Sequence, residues 1–171
     1  ENENSGWVEV TSQHSAIIDT ELPHSGARSA WLGGTDQEPV AAIYQDVNIP
    51  ANATTVKLGF WRYLHEETSG ALGFLASDAK FSAVIAKDNG DVIQALEVVM
   101  STDGDDAWNQ LQFDLAQYAG KKIRLGFAAE NPKRNISSYF VDDVELVGCT
   151  TGKAPSAPQP SKAGNVFVQG T

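Results

Sequence analysis

Val56-Lys57-Leu58-Gly59-Phe60-Trp61 decides the fold. Val56, Leu58 and Phe60 alternate with Lys57, Gly59 and Trp61, a period of two. Strand side chains point alternately to opposite faces, so one face of this segment is apolar and has to be covered. The same pattern returns twice. Leu111, Phe113 and Leu115 alternate with Gln110, Gln112 and Asp114, and Ile123, Leu125 and Phe127 with Arg124 and Gly126. Shorter apolar segments stand at Trp7–Val10, Ala30–Leu32 and Ala42–Val47, the last followed by Pro50, which ends a strand. Phe81–Ala86 and Val92–Met100 flank Lys87-Asp88-Asn89-Gly90-Asp91. Asn-Gly between two such runs predicts a hairpin, because both residues accept positive φ. One helical turn is predicted, Leu115–Ala119, closed by Gly120. Short, evenly spaced strands with turn signals between them predict an all-β, antiparallel two-sheet sandwich.

Composition narrows the function. The chain has 171 residues, 42% hydrophobic and 20% charged, with a formal net charge of −10. That is enough for one core and a tail. The acidity argues against nucleic acid as a partner, because phosphate recognition needs a basic face. No apolar run reaches the roughly 20 residues of a membrane-spanning helix. Cys149 is the single cysteine, which excludes an internal disulfide and a thiolate zinc cluster. Catalysis finds little support. His14, His24 and His65 fall in expected loops, outside any His-Glu-x-x-His motif, and no Gly-x-Ser-x-Gly elbow exists. The adjacent pair Glu66 and Glu67 does not have the spacing of glycosidase carboxylates.

The organisation is a sandwich over residues 1–149, a linker over 150–164 rich in Pro, Ser, Ala and Lys, and a terminal strand or further domain over 165–171. Val166, Phe167 and Val168 are the assembly candidates, because an isolated strand can add to the edge of a sheet in this chain or in a neighbouring copy. The longest irregular stretch, His65–Asp78, is long enough to be functional.

Tyr139-Phe140-Val141-Asp142-Asp143-Val144-Glu145-Leu146 holds the most unusual chemistry. By alternation Phe140, Val144 and Leu146 share the core face, and Asp142 falls among them. A carboxylate there needs a cation or several hydrogen-bond donors. Asp142 is therefore either an ion ligand, with Asp143 as a companion, or an acceptor of backbone N–H groups at a sheet corner. The acidic run Asp103-Gly104-Asp105-Asp106 lacks the Glu at its twelfth position that an EF-hand requires and reads as a polar turn. Trp61 and Tyr63 lie opposite the apolar face of their strand. Together with Arg124 they make a candidate platform for a sugar, whose C–H face packs on flat rings; otherwise they sit beneath the long loop. Trp31 and Trp108 are expected in the core or at its rim.

Four segments carry a resemblance, in order along residues 7 to 149. They are His24-Ser25-Gly26 through Ala30-Trp31-Leu32-Gly33-Gly34, Leu58-Gly59-Phe60-Trp61, Trp108 to Phe127 with Asp114-Leu115 and Tyr118-Ala119-Gly120, and Phe140-Val141-Asp142-Asp143-Val144. The chain resembles the MAM-like or immune-inhibitor-A-like jelly-roll module of secreted bacterial and archaeal proteins. The resemblance implies a jelly-roll β-sandwich with an extended C-terminal tail, secretion to the cell exterior or surface, and a non-catalytic binding or adhesion role towards a surface glycan or protein. It is similar to carbohydrate-binding jelly rolls, many of which hold a structural calcium ion. It points to Glu67 and Asp78, with Asp142 and Asp143, as the ion set. The tyrosines that flank the aspartate in relatives are missing around Asp78. Two other roles stay open: a structural subunit of an extracellular assembly joined by strand donation, and a targeting or stabilising domain of a secreted protease.

Overall fold

The computed structural model describes residues 6–11, 16–35, 40–66, 79–132 and 136–151, and the backbone of Asn165–Val168. The strands are β1 (Val8–Val10), β2 (Ile18–Asp19), β3 (Ser29–Gly33), β4 (Val40–Asn48), β5 (Ala53–His65), β6 (Lys80–Ala86), β7 (Val92–Met100), β8 (Trp108–Asp114), β9 (Lys122–Glu130), β10 (Ser138–Thr150) and β11 (Asn165–Val168). One sheet runs β1-β4-β9-β6-β7 and the other β2-β3-β10-β5-β8, all pairs antiparallel, with β11 added in parallel to β10. This is the antiparallel sandwich expected from the alternation. The helical turn is a single 3₁₀ turn at Ala116–Tyr118, and Gly120 follows with φ +78°. The β6–β7 hairpin turns at Gly90, where φ is +94°. The two-residue strand β2 is too short to show a period.

The core lies between the sheets. Val56, Leu58, Phe60 and Leu64 of β5 face Ile123, Leu125, Phe127 and Ala129 of β9 and Phe81, Ala83 and Ile85 of β6. Phe127 is the hub: its ring lies 4.9 Å from Phe60, 5.7 Å from Trp7 and 6.2 Å from Phe81 between centroids. The same inner space holds one charged pair. Arg62 Nε on β5 stands 3.2 Å from Glu97 Oε2 on β7, both largely covered. Burial pushes the Glu97 carboxyl up, against the pull of Arg62.

The Asp142 strand departs from simple alternation. Tyr139 and Val141 are in the core, whereas Phe140 stacks on Trp31 and meets Tyr63 outside it. Phe140 and Asp142 do share a face, but it is the outer face of the β5–β10 sheet. Asp143 then adopts φ +48°, and the register jumps from Asp142↔Trp61 to Glu145↔Gly59. The extra residue is a β-bulge, and it resets the faces. Leu146 returns to the core with Val144 packed against it, while Glu145 shares the outer face with Asp142.

Truncating Phe127 to Ala removes the hub and leaves a cavity. It is expected to cost about 3–5 kcal/mol, read as a lower denaturation midpoint at unchanged m-value. A loss under about 1 kcal/mol contradicts this packing.

Candidate functional site

The outer face of the β5–β10 sheet carries the densest group of chemistry-bearing side chains among the described residues. Register explains which residues meet there. Phe140 lies across from both Trp31 and Tyr63, Tyr63 across from Trp108, and Trp61 across from Gln110 and Asp142. The rings form a ribbon across β3, β10, β5 and β8. Trp31 stacks on Phe140 at 5.8 Å, Phe140 meets Tyr63 at 6.0 Å, and Tyr63 meets Trp108 at 5.7 Å. His24, from the loop before β3, closes it: its ring stacks on Trp61 at 4.0 Å and meets the edge of Trp108 at 5.3 Å. Trp31 also donates from Nε1 to Ser138 Oγ at 3.1 Å, and its indole lies where a Cβ on Gly34 would be. Gly34, at φ +74°, has to be glycine for that reason.

The aspartate pair holds His24 in place. Asp142 is 8% exposed. Its Oδ2 accepts the backbone N–H groups of His24 at 2.8 Å and Ser25 at 3.0 Å, and its Oδ1 accepts the N–H of Asp143 at 2.7 Å. This is the corner arrangement, three donors on one carboxylate. Asp143 accepts from His24 Nδ1 at 2.7 Å and from the Ser25 hydroxyl. Burial pushes the Asp143 carboxyl up, but the hydrogen bonds from Ser25 and His24 outweigh it and hold it below the usual carboxylate range. A calcium ion takes about six to eight oxygen ligands. Both acids spend theirs on donors, and among the described residues no three Asp, Glu, His or Cys side chains gather as ion ligands. Glu67 and Asp78, the other expected ligands, lie outside the described residues.

Beside this cluster opens a cleft of about 370 Å³ lined by Gly59, Phe60, Trp61, Gln110, Asp143, Val144 and Glu145. That volume is within the roughly 300–1,000 Å³ range of small-ligand sites. Trp61 is its wall and Gly59 its floor. A Cβ on Gly59 would lie 3.3 Å from Glu145 Cγ and Oε1, so the missing side chain leaves the space that Glu145 overhangs. An indole face beside a strand glycine and the exposed side chains of Gln110 and Glu145 can pack a small polar ring and hydrogen-bond its edge.

The predicted platform divides. Trp61 and Tyr63 stand together on this face. Arg124 does not join them: it belongs to β9 in the other sheet, where its guanidinium covers Tyr44 at 3.9 Å and bonds Asp46 at 2.7 Å. The Arg124 hydrogen bond holds Asp46 below the usual carboxylate range. Trp31 and Trp108 are half-buried on the outer face and are not part of the core cluster. His65 is the last residue of β5 rather than a loop residue, and bonds Asp106 at 2.7 Å. Sequence reading missed His24, Gln110 and Glu145. Gly59 carried a signal, since a glycine inside a strand marks a bulge or a close approach.

Solved structures share the architecture. TmCBM61, solved in complex with β-1,4-galactotriose, superposes with a TM-score of 0.54 at 19% identity, over 83% of this chain and 88% of that one. A carbohydrate-binding module of the β-sandwich superfamily, studied for promiscuous specificity, superposes with a TM-score of 0.50 at 14% identity, over 84% of this chain and 57% of that one. The chain has the fold of these β-sandwich modules. No family model matches it, and no curated protein does. The MAM-like family therefore remains a resemblance.

Two outcomes follow from the corner. Asp142→Ala strands three N–H groups and is expected to cost about 2–3 kcal/mol in chemical denaturation. A loss near zero contradicts the donor account. Because folded Asp143 titrates below its ordinary range, its stabilisation is complete above that range and is lost as pH falls through the lowered value. Asp143→Asn should flatten the acid side of the stability–pH curve, and an unaltered acid side contradicts the linkage.

Proposed function

We propose that this domain is a non-catalytic glycan-binding module acting outside the cell or at its surface. The observation that carries the reading is the cleft with Trp61 as wall and Gly59 as floor. A pyranose presents an apolar C–H face to an aromatic ring and hydroxyls around its edge. Trp61 supplies the ring, and Gln110 and Glu145 supply the edge contacts. The wall is rigid before any ligand arrives. His24 backs Trp61, Asp143 grips His24, and Asp142 fixes the loop that carries His24. Preorganisation of this kind reduces the ordering cost of binding. The likeness to carbohydrate-binding modules supports the fold on which such a site would be built. No helix of the described residues is long and apolar enough to cross a membrane.

Nothing in the cleft calls for catalysis. Asp143 is occupied by Ser25 and His24, and Ser25 donates to Asp143 rather than being activated by the imidazole.

A second reading rests on β11. Asn165–Val168 adds in parallel to Leu146–Cys149, the part of β10 that β3 leaves unpaired. A strand from a neighbouring copy could take the same edge and join subunits. Size-exclusion of the chain with and without residues 150–171 decides it, and a monomer in both cases rejects strand donation.

Affinity electrophoresis against a panel of soluble polysaccharides tests the first reading. Trp61→Ala is expected to weaken retention roughly tenfold or more, as truncating a central aromatic contact does, with melting little changed. Tyr44→Ala, on the opposite sheet, is expected to leave retention as it was. The reverse pattern, or no retention by the wild type, rejects the cleft as the glycan site.

A further inference from the structure

The cleft has a charge character that the glycan reading does not itself require. Among the described residues, its ionisable lining is Asp143 and Glu145, and no lysine or arginine lines it. The two acids differ. Both oxygens of Asp143 are taken up by His24 and Ser25. Glu145 is exposed, and its side chain covers the buried backbone of Gly59. The bulge at Asp143 puts it there, since unbroken alternation from the outward Asp142 would turn Glu145 to the core. Asp142 is bound by three N–H groups, and His24 is held by Asp143. Lys57, the next outward residue of β5, stands opposite Asp114 and Val147 and does not line the cleft.

We propose that Glu145 is the specificity-determining residue of the cleft, admitting uncharged or amine-bearing sugar units and excluding uronates and sulfated sugars. The proposal rests on the glycan reading above and deepens it. An ionised carboxylate only accepts hydrogen bonds. It pairs with a sugar hydroxyl, and more strongly with a sugar ammonium through a charge-assisted bond. A second carboxylate or a sulfate brought beside Glu145 meets repulsion with no described lysine or arginine lining the cleft to offset it, and building such like-charge contacts is how a site rejects a wrong ligand. The formal net charge of −10 adds long-range repulsion in the same sense.

Three probes separate the possibilities: oligomers of β-1,4-galactose, of glucosamine and of galacturonate, titrated calorimetrically into the full chain at low and moderate salt. Wild type is expected to bind a neutral or amine-bearing oligomer and to leave galacturonate unbound. Glu145→Lys is expected to gain galacturonate binding by roughly tenfold or more, an effect that fades as salt screens it, while Glu145→Gln lifts the exclusion without reversing it. Glu145 is exposed, so both variants should melt with wild type, and circular dichroism checks this. Wild-type binding of galacturonate as tight as its neutral counterpart overturns the charge rule and leaves the glycan reading standing. An unchanged preference in Glu145→Lys does the same. Failure of wild type to bind any of the probes, or any polysaccharide of the electrophoresis panel, overturns both.

Discussion

One buried carboxylate organises the outer face of this sandwich. Asp142 sits on a strand in the middle of its sheet, where an unpaired charge would be costly. Three backbone N–H groups meet it, two from a loop more than a hundred residues earlier in the chain and one from its own neighbour. The two distant bonds pin the His24 loop onto the sheet. The local one accompanies the positive φ of Asp143 and the bulge that follows. A β-bulge often re-aims side chains beside functional sites. Here it places Asp143 under His24 and Glu145 over Gly59.

The aromatic ribbon depends on that anchor. Tyr63, Phe140 and Trp108 are brought together by strand register alone. Trp61 is different, because one of its faces is covered by a loop residue held through hydrogen bonds. Loops commonly carry binding residues on a rigid scaffold. In this chain the loop buttresses the Trp61 ring, and that ring and its neighbours on β5, β8 and β10 form the cleft.

Much of this was legible in the sequence. The period of two in Val56–Trp61, Leu111–Leu115 and Ile123–Phe127 gave both sheets their inner faces, and Asn89-Gly90 gave a hairpin. Asp142 was readable as an acid that must find donors or a cation, because strand burial makes that demand wherever its partners come from. The partners themselves were not readable. His24 and Ser25 reach Asp142 through tertiary packing, which leaves no local pattern. The inward direction expected for Phe140 and Asp142 failed for a definite reason. Alternation was counted through Asp143, and a single bulged residue inverts the parity on one side of it. Arg124 was misplaced for a related reason: alternation gives the face of a strand but not the sheet to which the strand belongs.

The central claim is that the Trp61–Gly59 cleft is where this domain holds a glycan. Backbone and indole chemical-shift mapping by NMR, during titration with the tightest-binding oligosaccharide, tests it most directly. The account expects the largest shifts at the Trp61 indole N–H, the Gly59 amide and the Gln110 side-chain amide, with Tyr44 and Arg124 unmoved. Shifts centred on Tyr44 and Arg124 of the opposite sheet, with the Trp61 indole silent, would contradict it.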